Sequence, residues 1–206
     1  MGECRNTAIV LAAGQGKRMH SKIQKQFLEI GRKPILYYSM ECFQKSPLIQ
    51  DIILVTGEDM ISYCQSEIVE KYGFTKVCKV TAGGKERYDS VYAGLLCCQD
   101  TDYVYIHDGA RPFVTEEMIQ RGYEAVKRTN ACVMGMPSKD TVKLADPSGY
   151  IKETPDRKIV WNIQTPQIFS YDLIRGAYES IRKKDMSNVT DDAMVVCLLY
   201  TSDAAD

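Results

Sequence analysis

The residues with most chemical potential are the cations that follow the first glycine turn: Lys17, Arg18, Lys22 and Lys25, after Ala12-Ala13-Gly14-Gln15-Gly16. An apolar run at 8–11 breaks abruptly into this turn. Small residues there let backbone N–H groups approach a ligand closely. The cations beyond them suit an anion of high charge, such as a nucleotide triphosphate. A tight βα turn with a solvated basic face accounts for the same residues. Two familiar phosphate loops are excluded. A Walker A loop needs glycine where Leu11 stands and Ser or Thr where Arg18 stands, and a dinucleotide fingerprint needs glycine in place of Met19.

A second group centres on Asp108, which follows Tyr103-Val104-Tyr105-Ile106-His107. A carboxylate just past a strand end can hold Mg²⁺ against phosphates, or simply cap a turn. Arg111 is a candidate phosphate clamp because its planar fork suits phosphate oxygens, and also reads as a surface arginine beside Pro112. Gly83-Gly84 open a second turn into a helix. Ser90, one helical turn inside, would face back toward the first loop; a plain helix start fits the same pattern. His107 is expected to satisfy a hydrogen bond at the strand end and not to act as a base, and His20 has no recognisable partner. Trp161 is assigned to packing beneath a hairpin.

The elements that must position these residues follow from periodicity. Apolar, β-branched runs at 7–11, 52–56, 76–81, 103–107 and 132–136 predict strands. Helical patterns lie at 34–44, 60–72, 87–99 and 116–128, and again at 171–182 and 191–199. Pro34 suits a first helical turn, and Thr115-Glu116-Glu117 places a cap and acids at a helix start. The βαβα rhythm predicts a mostly parallel sheet with helices on both faces. Ligands bind beyond the carboxyl ends of such strands, which gathers the Gly14 loop, 82–84 and 107–111 onto one rim. The rhythm fails at 137–160, where Asp146-Pro147-Ser148-Gly149 signals a turn. This stretch reads as a β-hairpin with too little apolar surface for its own core, so it needs support, as from a second subunit.

Composition bounds the class. With 206 residues, 45% apolar and 26% charged, the chain fits one globular domain. A formal net charge of −1 argues against broad nucleic-acid or membrane-surface binding. No apolar run reaches the ~18 residues of a membrane span, and the first residues lack a signal-peptide core. Eight cysteines include no C-x-x-C pair, which disfavours a zinc cluster and suits a reducing cytoplasm, with most thiols acting as small hydrophobes.

Taken together, LAAGQGKRM, QKQFLEI, GGKERYDSV, HDGARPF, KDTVK, TPDR, WNIQTPQIF and VTDDA resemble the 2-C-methyl-D-erythritol 4-phosphate cytidylyltransferases, in order from about residue 8 to 193. The resemblance implies a Rossmann-like α/β fold of the nucleotidyltransferase type with a protruding hairpin arm at 137–160. It implies cytidylyl transfer from CTP to the sugar-alcohol phosphate, with Mg²⁺, in a cytoplasmic homodimer of the non-mevalonate isoprenoid pathway. Ala12, Ala13, Gly14, Gly84 and Ser90 would hold the nucleotide, joined by Gly16 and Gly109 on the same rim. Arg18 and Lys25 would be catalytic, stabilising the transition state at the α-phosphate. Asp108 would hold the metal and the ribose side. Arg111, Thr141, Arg157, Thr165 and Thr190 would contact the acceptor phosphate substrate, with Thr141 and Arg157 serving the partner's site. The rival readings are a ribitol-5-phosphate cytidylyltransferase, whose loop tends to carry glycine in place of Ala13, and an inactive nucleotide-binding fragment. The family continues into a strand with an Asn-x-Lys-Ile/Val-Thr motif that this chain lacks. Residues 1–196 are therefore expected to form one nucleotidyltransferase domain, and 197–206 a non-native tail.

Overall fold

Ala8, Val10 and Ala12 point to one side of the first strand, β1 (Asn6–Ala12), and Ile9 to the other, and all four are buried. A strand covered on both faces belongs in the middle of a parallel sheet. In the computed structural model, which describes residues 4–14, 23–181 and 189–203, β1 pairs in parallel with β4 (Asp51–Thr56) and β6 (Tyr103–Asp108). Between β1 and β4 lie a small ribbon, β2 (Glu29–Ile30) with β3 (Lys33–Pro34), and helix α1 (Ile35–Lys45). The chain then runs through α2 (Ile61–Tyr63), β5 (Val77–Ala82) and α3 (Arg87–Leu96) to β6. After β6 come α4 (Glu116–Thr129), β7 (Ala131–Pro137), β8 (Leu144–Ala145), β9 (Ile151–Glu153), β10 (Trp161–Ser170), α5 (Tyr171–Ile181) and α6 (Asp192–Asp203).

The six-stranded sheet has the order β5-β4-β1-β6-β10-β7, and β10 runs antiparallel to both neighbours. The α/β class with a mostly parallel sheet is therefore as expected. On one face Leu36, Met40 and Phe43 of α1 and Ile119 and Val126 of α4 pack on Ala8, Val10, Leu54 and Tyr105. On the other, Val91 and Leu95 of α3, Ile174 and Tyr178 of α5 and Val195 of α6 pack on Ile9, Ile53, Val104 and Phe169.

Several local expectations are corrected. Pro34 ends β3 and caps α1 from outside, in extended backbone, and is not a first-turn residue. The expected helix at 60–72 is a 3₁₀ turn (Glu58–Met60), the short α2, and a π-helix (Cys64–Glu70). The strand β10 was not anticipated. Trp161 opens β10 opposite Pro137 and is 54% exposed, so it does not pack beneath the hairpin. The cap at Thr115 is as expected: its side chain accepts from the Met118 N–H at 3.3 Å. Cys64 is fully buried, and Cys42, Cys97, Cys98 and Cys132 are partly buried against the two apolar layers, so most of the cysteines act as small hydrophobes, as expected.

The hairpin at 137–160 is present as β8 and β9. Its turn is organised by Asp146, whose Oδ1 accepts from Ser148 N and Oγ and from Tyr150 N, at 2.9, 2.6 and 3.1 Å. Gly149 adopts φ +91° there, which a side chain would strain. Leu144, Tyr150, Ile151 and Ile159 are exposed along the arm.

Candidate active site

Three loops at the carboxyl ends of β1, β5 and β6 meet on one rim, as the parallel sheet requires. Past β1 the backbone leaves its ladder, and its carbonyls need other donors. Gln26, buried in the 3₁₀ turn Lys25–Phe27, supplies them: its Nε2 donates to Ala12 O at 2.6 Å and Gly14 O at 3.1 Å. That clamp holds exposed Lys25 beside the Ala13–Gly14 loop. Gln26 was not among the sequence-derived candidates; a buried polar residue between Lys25 and Phe27 was its only signal. Gly16 and Arg18, together with Lys17, Lys22 and His20, lie outside the described residues.

The second loop touches the first. A Cβ on Gly83 would stand 2.5 Å from Ser90 Oγ and 2.8 Å from Ala13 Cβ, so this glycine is what allows the two loops to meet. Ser90 is buried, accepts from Gly84 N at 3.2 Å and donates to Glu86 O at 3.2 Å. It does face the first loop, as expected. Glu86 and Asp89 form a reciprocal capping box that fixes the start of α3.

At the third loop Asp108 is gripped by two guanidinium groups. Arg87 Nε donates to Oδ1 at 3.2 Å and Arg111 Nε to Oδ2 at 3.0 Å. Burial alone would raise the Asp108 carboxyl, but the Arg87 charge and the Arg111 hydrogen bond outweigh it and hold its pKa below the ordinary carboxylate value. Arg111 also donates to Gln164 Oε1. Thr165 Oγ1 accepts from Asp108 N at 3.2 Å and meets His107 Nδ1 at 3.1 Å. The other ring nitrogen of His107 lies 3.0 Å from Arg111 O. A carbonyl only accepts, so Nε2 carries the proton and Nδ1 accepts from Thr165. Complete burial lowers the His107 pKa to about 4. As the sequence suggested, this histidine satisfies the strand end and offers no base.

Gly109 is buried, with its N–H donating to Leu11 O at 2.8 Å. A Cβ there would meet Leu36 Cδ1 at 2.7 Å, so its place is behind the rim. Thr141 and Arg157 are exposed on the arm, outside the hydrogen bonds that assemble the Asp108 group. Thr190 is exposed just before α6, with Oγ1 3.7 Å from Met194 Sδ. A deeper network escaped the sequence reading. Arg87 forks onto Asp192, whose Oδ1 also accepts from Tyr178 Oη at 2.7 Å. Beside it, Gln167 donates to Asp191 at 3.0 Å and accepts from Ala193 N at 3.0 Å. Asp191 caps α6 by accepting from Met194 N at 3.0 Å. Together these bonds tie α6 to the rim.

The sequence profile of the 2-C-methyl-D-erythritol 4-phosphate cytidylyltransferases matches residues 6–201. The chain belongs to this family. Among similar cytidylyltransferases, that of Lachnospira eligens is 50% identical over 192 residues, covering 93% of this chain and 84% of that protein. That of Lachnoclostridium phytofermentans is 50% identical over 193 residues, covering 93% and 82%. Among solved structures, the 4-diphosphocytidyl-2C-methyl-D-erythritol synthase of Anaerococcus prevotii superposes with a TM-score of 0.83 at 32% identity, covering 96% of this chain and 83% of that one. The Francisella tularensis cytidylyltransferase gives 0.78 at 26% identity, covering 95% and 86%. A cytidylyltransferase must seat a nucleotide and a phosphorylated acceptor side by side. Helix α3 links the Ala13–Gly83–Ser90 contact to the Asp108–Arg111–Thr165 group, because its Arg87 donates to Asp108 and its Ser90 stands against Gly83.

Proposed function

We propose that this cytidylyltransferase transfers the cytidylyl group of CTP to 2-C-methyl-D-erythritol 4-phosphate, releasing pyrophosphate. The observation that carries the reading is an anionic Asp108 held by two arginines next to a loop pair closed around small residues. In the reaction an oxygen of the acceptor phosphate attacks the α-phosphorus in line. The new P–O bond forms as the bond to pyrophosphate breaks. Such transfers need positioning and charge neutralisation more than covalent chemistry. Ala12, Ala13, Gly14, Gly84 and Ser90 hold the nucleotide, with Gly16 and Gly109 shaping the loops. Lys25 and Arg18 neutralise charge building at the α-phosphate. Arg111, Thr165 and Thr190 receive the acceptor.

A divalent cation fits Asp108. Each carboxylate oxygen accepts one guanidinium hydrogen and keeps a lone pair. Among the described residues no cluster of three or more His, Cys, Asp or Glu side chains could hold a metal ion, so the remaining ligands would be phosphate oxygens and water. When bound, Mg²⁺ would supply positive charge against the triphosphate.

The exposed apolar residues of the arm support a homodimer in which Thr141 and Arg157 reach the partner's site. No described helix is long and apolar enough to cross a membrane, and all eight cysteines are free, which suits a cytoplasmic enzyme. Sedimentation of the intact chain beside an arm variant with Ile151 and Ile159 changed to serine tests the dimer. A monomer in both cases refutes it.

A further inference from the structure

We propose that His107 is the positioning residue of the acceptor half of the site: it holds Thr165 and the Asp108–Arg111 turn in one arrangement without touching substrate. This rests on the reading of Arg111 as a contact to the acceptor's phosphate and of Thr165 as a contact to the acceptor, whose hydroxyls can donate to the lone pair that Thr165 Oγ1 keeps. The reason lies in β10. Its ladder with β6 runs only from Gln167 to Ser170, and its register against β7 shifts between Ile163 and Gln167. Thr165 therefore sits in an irregular stretch that neither ladder fixes. Bulges of this kind re-aim side chains beside active sites, and something else must hold the result.

His107 does so. It is fully buried and both of its ring nitrogens are used, one by Thr165 Oγ1 at 3.1 Å and the other by Arg111 O at 3.0 Å. The ring plane is set from α1 by Phe43, edge-on at 5.4 Å and 73°. One imidazole thus joins β6, β10 and the turn that carries the Arg111 guanidinium. Asp108 N, on the same hydroxyl at 3.2 Å, closes the arrangement.

The two amide residues divide the two links. In H107N the side-chain oxygen takes the place of Nδ1 and keeps the Thr165 bond. In H107Q the longer amide reaches the place of Nε2, donates to Arg111 O, and abandons Thr165. Steady-state kinetics of the full chain should show H107Q raising KM for methylerythritol phosphate about three- to tenfold, with KM for CTP within about twofold. H107N should recover most of that loss. In a double-mutant cycle H107Q should add little to T165V. Equal effects on both substrates, no rescue by H107N, or independent penalties with T165V would overturn the proposal and leave His107 as core packing. Nitrogen NMR of the imidazole reads the same link without substrate. Nδ1 should be unprotonated and its shift should move in T165V; insensitivity to T165V would overturn the proposal even if the histidine variants failed to fold. Failure of the unaltered chain to use methylerythritol phosphate would sink the functional reading instead.

Discussion

Arg87 and Asp192, 105 residues apart in sequence, face each other in a two-pronged ion pair at 3.0 and 2.9 Å. The Asp192 side chain has no solvent exposure. Burial disfavours the Arg87 charge, but Asp192 more than restores it, raising the guanidinium pKa further above its ordinary value. Tyr178 Oη, on the same carboxylate, has its own ionisation pushed well up by burial and by that negative charge. Replacing Arg87 by Met leaves a buried charge without its partner. The expected loss is about 3–5 kcal/mol in urea unfolding, with part returned in an R87M/D192L double variant. A loss below ~1 kcal/mol would show that the pair does not anchor α6.

Stability should fall on acidification before most carboxylates titrate. The folded pKa of His107 is about 4 against an ordinary 6.5, so between these values the unfolded chain binds a proton that the folded chain refuses. The contribution is complete above about pH 6.5 and is lost as pH falls toward 4, up to about 3 kcal/mol. Chemical denaturation at stepped pH should show this slope in the native sequence and a flatter one in H107Q. The same slope in both would assign it elsewhere.

Gly83→Ala should abolish nucleotide binding while the fold persists. The added methyl would stand 2.5 Å from Ser90 Oγ and 2.8 Å from Ala13 Cβ, so the two loops must part. Far-ultraviolet circular dichroism beside CTP titration checks it. Unchanged affinity would mean that the loop contact does not shape the nucleotide site.

Lys25→Ala should lower kcat by about 10²–10³ while weakening CTP binding much less, because its charge acts on the transition state. Comparable losses in both quantities would recast Lys25 as a triphosphate anchor.

How much of this was legible depends on whether the cause was local. The parallel strands announced themselves through runs such as Ile52-Ile53-Leu54-Val55, and Asp108 through its place at a strand end. Ser90 was placed toward the first loop by helical spacing alone. The strand β10 was hidden because Gln164, Pro166 and Gln167 read against an interior strand. Its buried Gln167 bonds through its side chain to Asp191 and Ala193, which fold back from far along the chain. The Arg87–Asp192 pair is likewise a tertiary fact that no spacing rule reveals. Gln26 hid for another reason: beyond the Gln24 side chain, its partners are the Ala12 and Gly14 backbone carbonyls, which leave no mark in sequence.

The central claim is tested most directly by pyrophosphate release from the purified chain with CTP, Mg²⁺ and one acceptor at a time. The account predicts turnover with 2-C-methyl-D-erythritol 4-phosphate, little with ribitol 5-phosphate, and little when ATP or GTP replaces CTP. Preference for ribitol 5-phosphate, comparable kcat/KM with a purine nucleotide, or no turnover with any pair would contradict it.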